Sequence, residues 1–187
     1  MSANFRMYIA ALFELEHAMR RTPVDRWDQA SPCDGWTARE VAGHAIAVVE
    51  HIPARLGRGM ARDPFTDVGA IAGPDPVESF RPVRSAALVA LDTQHALSAT
   101  VDTSMGTMTI DDYLIPLGRD AVIHAWDIAH ATGTDEFLDP ILVEATLVRL
   151  DRTQMAAGRG TYAPPVTLPF GSTAQQRLLA AVGRNPH

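Results

Sequence analysis

Apolar residues recur at helical spacing through most of the chain, separated by clusters of Gly, Pro and small polar residues. One start signal returns ahead of the apolar-periodic segments: a small polar residue, then an acid or amide three positions on, which together satisfy the first free N–H groups of a helix. It occurs at Thr22 with Pro23 and Asp25, Thr37 with Glu40, Asp75 with Pro76 and Glu78, Thr109 with Asp112, and Ser172 with Gln175. Pro23 and Pro76 take the first helical position, where a missing N–H is tolerated. The pattern predicts helices over about 3–21, 38–58, 76–100, 110–131 and 140–157, and a short last one over about 173–182. DPFTDVGAIAGPDP, between the second and third, reads as a long surface loop. Pro116 either kinks the fourth helix or marks its start, and Gly133 reads as its C-cap. Pro164 and Pro165 make TYAPPVTLPFG extended.

These elements predict an all-α protein in which four long antiparallel helices form a bundle over residues 1–160. Residues 161–187 then add an extended segment and a short C-terminal helix packed on the same domain. A chain of 187 residues, 47% hydrophobic and 20% charged, has the size and balance of one globular domain. No apolar run nears the roughly 20 residues of a membrane span, and Glu14 and Glu16 interrupt the N-terminal stretch. The expected location is the cytoplasm. A net charge of -6 without a Lys/Arg block argues against nucleic-acid or anionic-membrane partners. Cys33 is the only cysteine, which excludes an intrachain disulfide and a cysteine-rich zinc site. A metal here must be held by His, Asp or Glu.

The second predicted helix turns Val41, Ala45, Val48 and Ile52 to one face, with His44 at the margin of that arc beside Glu40 and His51. Alone, His44 is as well explained by packing as by chemistry. In the fourth helix Leu114, Leu117, Ala121 and Ile128 form the apolar arc, and Asp120 and His124 project from its edge. Their i, i+4 spacing stacks the two side chains about 6 Å apart, close enough to chelate one ion or simply to pair with each other. Asp127 joins the same edge.

Three segments, SPCDGWTAREVAGH, RDAVIHAWDIAHATG and RLLAAVGRNP, together resemble actinobacterial metal-binding proteins related to mycothiol-dependent maleylpyruvate isomerase, within the DinB-like superfamily. The resemblance implies a DinB-like four-helix bundle with a short C-terminal extension. It also implies a metal held by a histidine early in the second helix and by an acid-xxx-histidine pair on a later one. Carried over, these ligands are His44, Asp120 and His124, with Asp120 standing where the isomerases carry Glu. Two imidazoles and a carboxylate suit an open zinc site, with Ni²⁺ or Fe²⁺ as alternatives. Asp127 is a candidate to accept an imidazole N–H and orient a ligating His, or else a structural tie. Cys33, without a partner nearby in sequence, reads as a packing residue, as do Trp27 and Trp36. His17, His51, His95 and His130 carry no assigned role.

The resemblance further implies mycothiol or a similar low-molecular-weight thiol as cofactor and a small electrophile as substrate, with isomerisation or S-transfer as the reaction. A homodimer is compatible with it. The isomerases carry an additional C-terminal domain that contributes to their active site, whereas here about 30 residues follow the fifth predicted helix. Arg177 and Arg184 in that tail are candidates to meet an anion. Two other functions stay open on the sequence. One is a non-catalytic module binding metal or a small ligand; the other is a hydrolase with Asp127 or Glu40 as general base.

Overall fold

The computed structural model describes residues 1–150 and 162–186. The described elements are α1 (Ala3–Arg21), α2 (Ala38–Arg55), α3 (Val68–Ala72), α4 (Pro76–Leu91), a 3-10 turn (Ala96–Ser98), β1 (Thr100–Thr103), β2 (Gly106–Thr109), α5 (Ile110–Thr132), α6 (Pro140–Val148) and α7 (Ala174–Ala181). They fall into two compact units, the first Met1–Glu136 and the second running from Phe137.

The first unit is a bundle of α1, α2, α4 and α5, the four-helix architecture expected from the sequence. α5 is its central element: every residue from Ala121 to Ala129 is buried, and a helix apolar nearly all round must be enclosed by neighbours. α1 lies along it, with Tyr8, Leu12, Leu15 and Met19 almost fully buried. The two run in the same direction rather than antiparallel, since Ser2 and Asn4 bond Asp111 at one end and Arg21 pairs with Asp135 at the other. α4 runs against α1, tied by ion pairs from Arg81 and Arg84 to Glu16.

The caps explain most boundaries. Thr37 and Glu40 form a complete capping box on α2, Asp75 caps α4, and Thr109 caps α5. Pro116 lies inside α5, which begins six residues earlier at Ile110. Two start signals read differently in the structure. The residues after Thr22 form turns instead of a helix, and the last helix is capped by Thr173 with Gln176, one position beyond the predicted pair.

The third predicted helix is also shorter. α4 ends at Leu91, and Thr100–Thr109 folds into an antiparallel hairpin with Thr100 opposite Thr109 and Thr103 opposite Gly106. Threonines and Val101 favour a strand over a helix, and Gly106 supplies the positive φ of 108° that the turn requires. In the predicted surface loop, Val68–Ala72 forms the short helix α3. It sits directly on Gly43, where an added Cβ would lie 1.7 Å from the Val68 carbonyl oxygen. Any side chain at Gly43 would push the loop off α2.

In the second unit α6 and α7 bury Leu142, Val143, Leu178 and Leu179. Asp139 caps α6, and the Leu138 N–H donates to Gln175 Oε1 at 3.0 Å. The remainder of the helix predicted over 140–157 lies, from 151 onward, outside the described residues.

Candidate metal centre

His44 lies in the second turn of α2, buried, and Asp120 and His124 lie one turn apart on α5. His44 Nδ1 is 2.6 Å from the Pro64 carbonyl oxygen. A carbonyl can only accept, so Nδ1 carries a proton and Nε2 is the nitrogen available to a metal. His124 Nδ1 is 2.9 Å from Asp127 Oδ2, which fixes the same tautomer there. Both Nε2 atoms turn toward Asp120: His44 Nε2 is 3.6 Å from Oδ2 and His124 Nε2 is 3.4 Å from Oδ1. One ligand atom from each of the three residues lies within 4.8 Å of the other two. The sequence-predicted trio is brought together, with both imidazoles oriented through their far nitrogens.

Several of these contacts depend on residues distant in sequence. Pro64 reaches His44 from the segment ahead of α3, and α3 is seated on Gly43, the neighbour of His44. Trp36 and Phe65 wall the His44 ring, at 5.0 and 5.2 Å between centroids, and the His124 ring meets it edge-on at 5.1 Å. The Asp120 side chain is 18% exposed against 6% for each imidazole, so the site opens to solvent on the Asp120 side.

Burial alone would push the Asp120 carboxyl up, but the His124 and His44 imidazoles hold it well below the usual carboxylate range. Burial would likewise push His124 down. Asp120 outweighs it, helped by Asp127 and Cys33, and the imidazole is held well above its ordinary value. A proton on His124 and a divalent cation among the three donors are thus alternative ways of neutralising the Asp120 charge. Two imidazoles and one carboxylate with an open side fit zinc or a similar divalent ion.

Asp127, the candidate orienting acid, is fully buried and does accept the His124 N–H. Cys33 is closer to the chemistry than the sequence suggests: its thiol donates to the same Asp127 Oδ2 at 3.3 Å. Cys33, His124 and Asp127 form a second group of ligand atoms within 4.8 Å, sharing His124 with the first. Only the position of Cys33 in the loop ahead of α2 hinted at this. Glu40, considered as a general base, is occupied by the α2 cap, accepting from both the Thr37 N–H and hydroxyl at 2.8 Å. His130 stacks on Trp126 and pairs with Glu136, and Arg177 and Arg184 bond carbonyl oxygens of the second unit.

The family model described as the mycothiol maleylpyruvate isomerase N-terminal domain matches residues 10–129. The chain belongs to that family. The matched region holds Cys33, His44, Asp120, His124 and Asp127. No curated protein matches the chain. Among solved structures, a crystal structure of the mycothiol-dependent maleylpyruvate isomerase is similar with a TM-score of 0.56 at 18% identity, covering 83% of this chain and 70% of that one. A histidine-to-alanine mutant of such an isomerase gives 0.55 at the same identity and coverage. At that identity the likeness speaks for the fold.

Proposed function

We propose that the protein binds one divalent metal ion, zinc in the first instance, through His44 Nε2, Asp120 and His124 Nε2, and uses it in a thiol-dependent isomerisation or S-transfer on a small electrophile. The observation that carries the metal assignment is the pair of fixed tautomers. Pro64 and Asp127 each take the Nδ1–H of one imidazole, leaving both Nε2 atoms facing one carboxylate. An accidental cluster of polar residues has no need to orient both rings alike.

The choice of thiol chemistry rests on membership of the mycothiol maleylpyruvate isomerase N-terminal domain family. Mycothiol is therefore the first thiol to test. When bound, the ion supplies a Lewis-acidic open position at which a thiol is held in its nucleophilic, deprotonated form. The chain's own residues do the rest. His44 and His124 hold the donor geometry, Asp127 keeps the His124 ring from rotating, and Trp36 and Phe65 exclude water from the His44 side. Isomerisation follows when the thiol adds to a conjugated double bond, allows rotation and leaves; S-transfer follows when it stays.

The test is elemental analysis of the purified protein followed by thiol titration of the cobalt-substituted form. One equivalent of metal and a sulfur-to-cobalt charge-transfer band on adding mycothiol or 2-mercaptoethanol are expected. Tight metal binding with no spectral response to any thiol would leave a metal-binding or hydrolytic role and end the thiol mechanism.

A further inference from the structure

Arg62 lies in the strap between α2 and α3, and three of its donors converge on Glu50 near the end of α2. Its Nε is 3.1 and 3.0 Å from the two Glu50 carboxylate oxygens, Nη2 is 2.5 Å from Oε1, and the Arg62 backbone N–H donates to Oε2 at 3.1 Å. The strap thus runs back along α2, because two residues beyond Arg62 the Pro64 carbonyl meets His44 Nδ1 at 2.6 Å, six residues ahead of Glu50 in the helix. Asp63 fixes the turn between them: its Oδ1 accepts the Phe65 N–H at 2.8 Å and its Oδ2 the Thr66 hydroxyl at 3.2 Å. The same turn sets the Phe65 ring against His44.

The Arg62 side chain is 48% exposed, and an ion pair so open to solvent adds little to stability. What it adds is geometry. A planar guanidinium and a backbone N–H on one carboxylate fix both the position and the direction of the chain that follows. The far end of the strap is fixed by α3 on Gly43. Without Arg62 as the near anchor, residues 56–67 would have to be ordered anew each time the Pro64 carbonyl closed onto His44, at the cost of their conformational freedom.

We propose that Glu50 and Arg62 are positioning residues of the metal centre: by anchoring the strap they hold the Pro64 carbonyl on His44 Nδ1, and so keep the ring turned with Nε2 toward Asp120. The inference rests on the metal reading given above and adds to it a pair that acts on one ligand alone. His124 is oriented separately, by Asp127 of its own helix, and so provides an internal reference.

The test compares the parent with Arg62→Ala, Glu50→Ala and the double variant, measuring zinc affinity by competition with a chelator and the imidazole N–H signals of the zinc-loaded proteins by nitrogen-15 NMR. Alanine suits both a strap and a helix, so helical content should be kept and the melting temperature should change little. Each single variant is expected to bind zinc about 10-fold more weakly, the low end for losing a group that orients a ligand. The double variant should bind no more weakly than either single one, because the two side chains act as a unit. In the spectra the His44 Nδ1–H signal should broaden through exchange with water, while the His124 Nδ1–H signal stays sharp. Unchanged zinc affinity, or an intact His44 signal in the variants, overturns the assignment and leaves the metal reading in place. A lower melting temperature with unchanged affinity would make the pair a tie for the fold only, and equal broadening at His44 and His124 would show a general loosening of the bundle; either overturns it. Failure of the parent to take up zinc would remove the reading beneath, and this inference with it.

Discussion

Glu16 and Asp120 are carboxylates drawn into the same bundle, and the difference in their partners separates scaffold from site. Glu16, on α1, is met by Arg81 and Arg84 of α4. A guanidinium keeps its charge at every accessible pH, so this carboxylate is neutralised permanently and the pair can only hold helices together. Asp120, on α5, is met instead by His44 and His124, whose rings are neutral or charged according to what else is bound. Its compensation is exchangeable. The bundle therefore holds a fixed tie between α1 and α4 and, between α2 and α5, a place that a proton or a cation can fill.

The largest expected effect lies at the fixed pair. Arg84→Met leaves Glu16 short of one cation in a buried setting and should cost about 3 kcal/mol, near the low end for a broken buried ion pair because Arg81 remains. For a chain of this length that is a fall of roughly 6–12 °C in melting temperature. It should be equal with added zinc and with chelator. Dependence of the loss on metal would contradict the separation between the two regions.

The reverse is expected at the exchangeable pair. His44→Ala, Asp120→Ala and His124→Ala should each reduce metal content from one equivalent toward zero while far-ultraviolet circular dichroism stays near that of the parent, since the apolar core supplies the folding energy of a bundle. Full metal occupancy in any single variant would remove that residue from the ligand set. Loss of helical signal on chelation of the parent would make the ion structural.

Much of this contrast was legible in the sequence, for identifiable reasons. The i, i+4 spacing of Asp120 and His124 is a local property of one helix, and the caps at Thr37, Asp75 and Thr109 are local too, so they were read in place. The tertiary partners were not. Nothing in the sequence brings the Pro64 carbonyl to His44, because that contact depends on Gly43 letting α3 sit on the α2 backbone. Cys33 is 94 residues from Asp127, so that relation has no spacing to detect. The parallel run of α1 and α5 also escaped, since connection length suggests neighbours without fixing direction. The hairpin over Thr100–Thr109 falls between two predicted helices, and its four-residue strands are too short for an alternating pattern to stand out.

A smaller effect follows from the charge state of His124. Because its folded value is raised, its proton stabilises the metal-free fold fully below the unfolded value of about 6.5, and that contribution is lost as pH rises through the folded value. Asp120, held low, contributes above its unfolded value of about 3.9 and loses that contribution as pH falls through the folded one. Metal must displace the His124 proton. Affinity for zinc should therefore increase with pH above 6.5 and level off once His124 is deprotonated, and calorimetry in buffers of different ionisation enthalpy should show proton release. The melting temperature of metal-free protein should decline over the same range. A zinc affinity that does not change across it would mean that the proton and the ion do not compete for one site.

The smallest effects concern the far side of the His124 ring and decide which side of it holds the ion. Asp127→Asn keeps the volume but weakens the acceptor that fixes the His124 tautomer, and should reduce zinc affinity about 10- to 100-fold. The Cys33 thiol donates to Asp127, and a serine hydroxyl at the same position can still donate to the carboxylate. Cys33→Ser should therefore keep its metal with less than about a tenfold change in affinity, and should keep thiol-dependent turnover, since on this reading the reacting sulfur is brought by the cofactor. The alternative group Cys33, His124 and Asp127 predicts the opposite order, because a thiolate ligand replaced by a hydroxyl would forfeit most of the binding of a soft-accepting ion. Comparing Cys33→Ser with His44→Ala under identical zinc buffering reads this directly. Metal retained in the first and lost in the second places the ion on the Nε2 side with Asp120; the reverse would move it to the Nδ1 side.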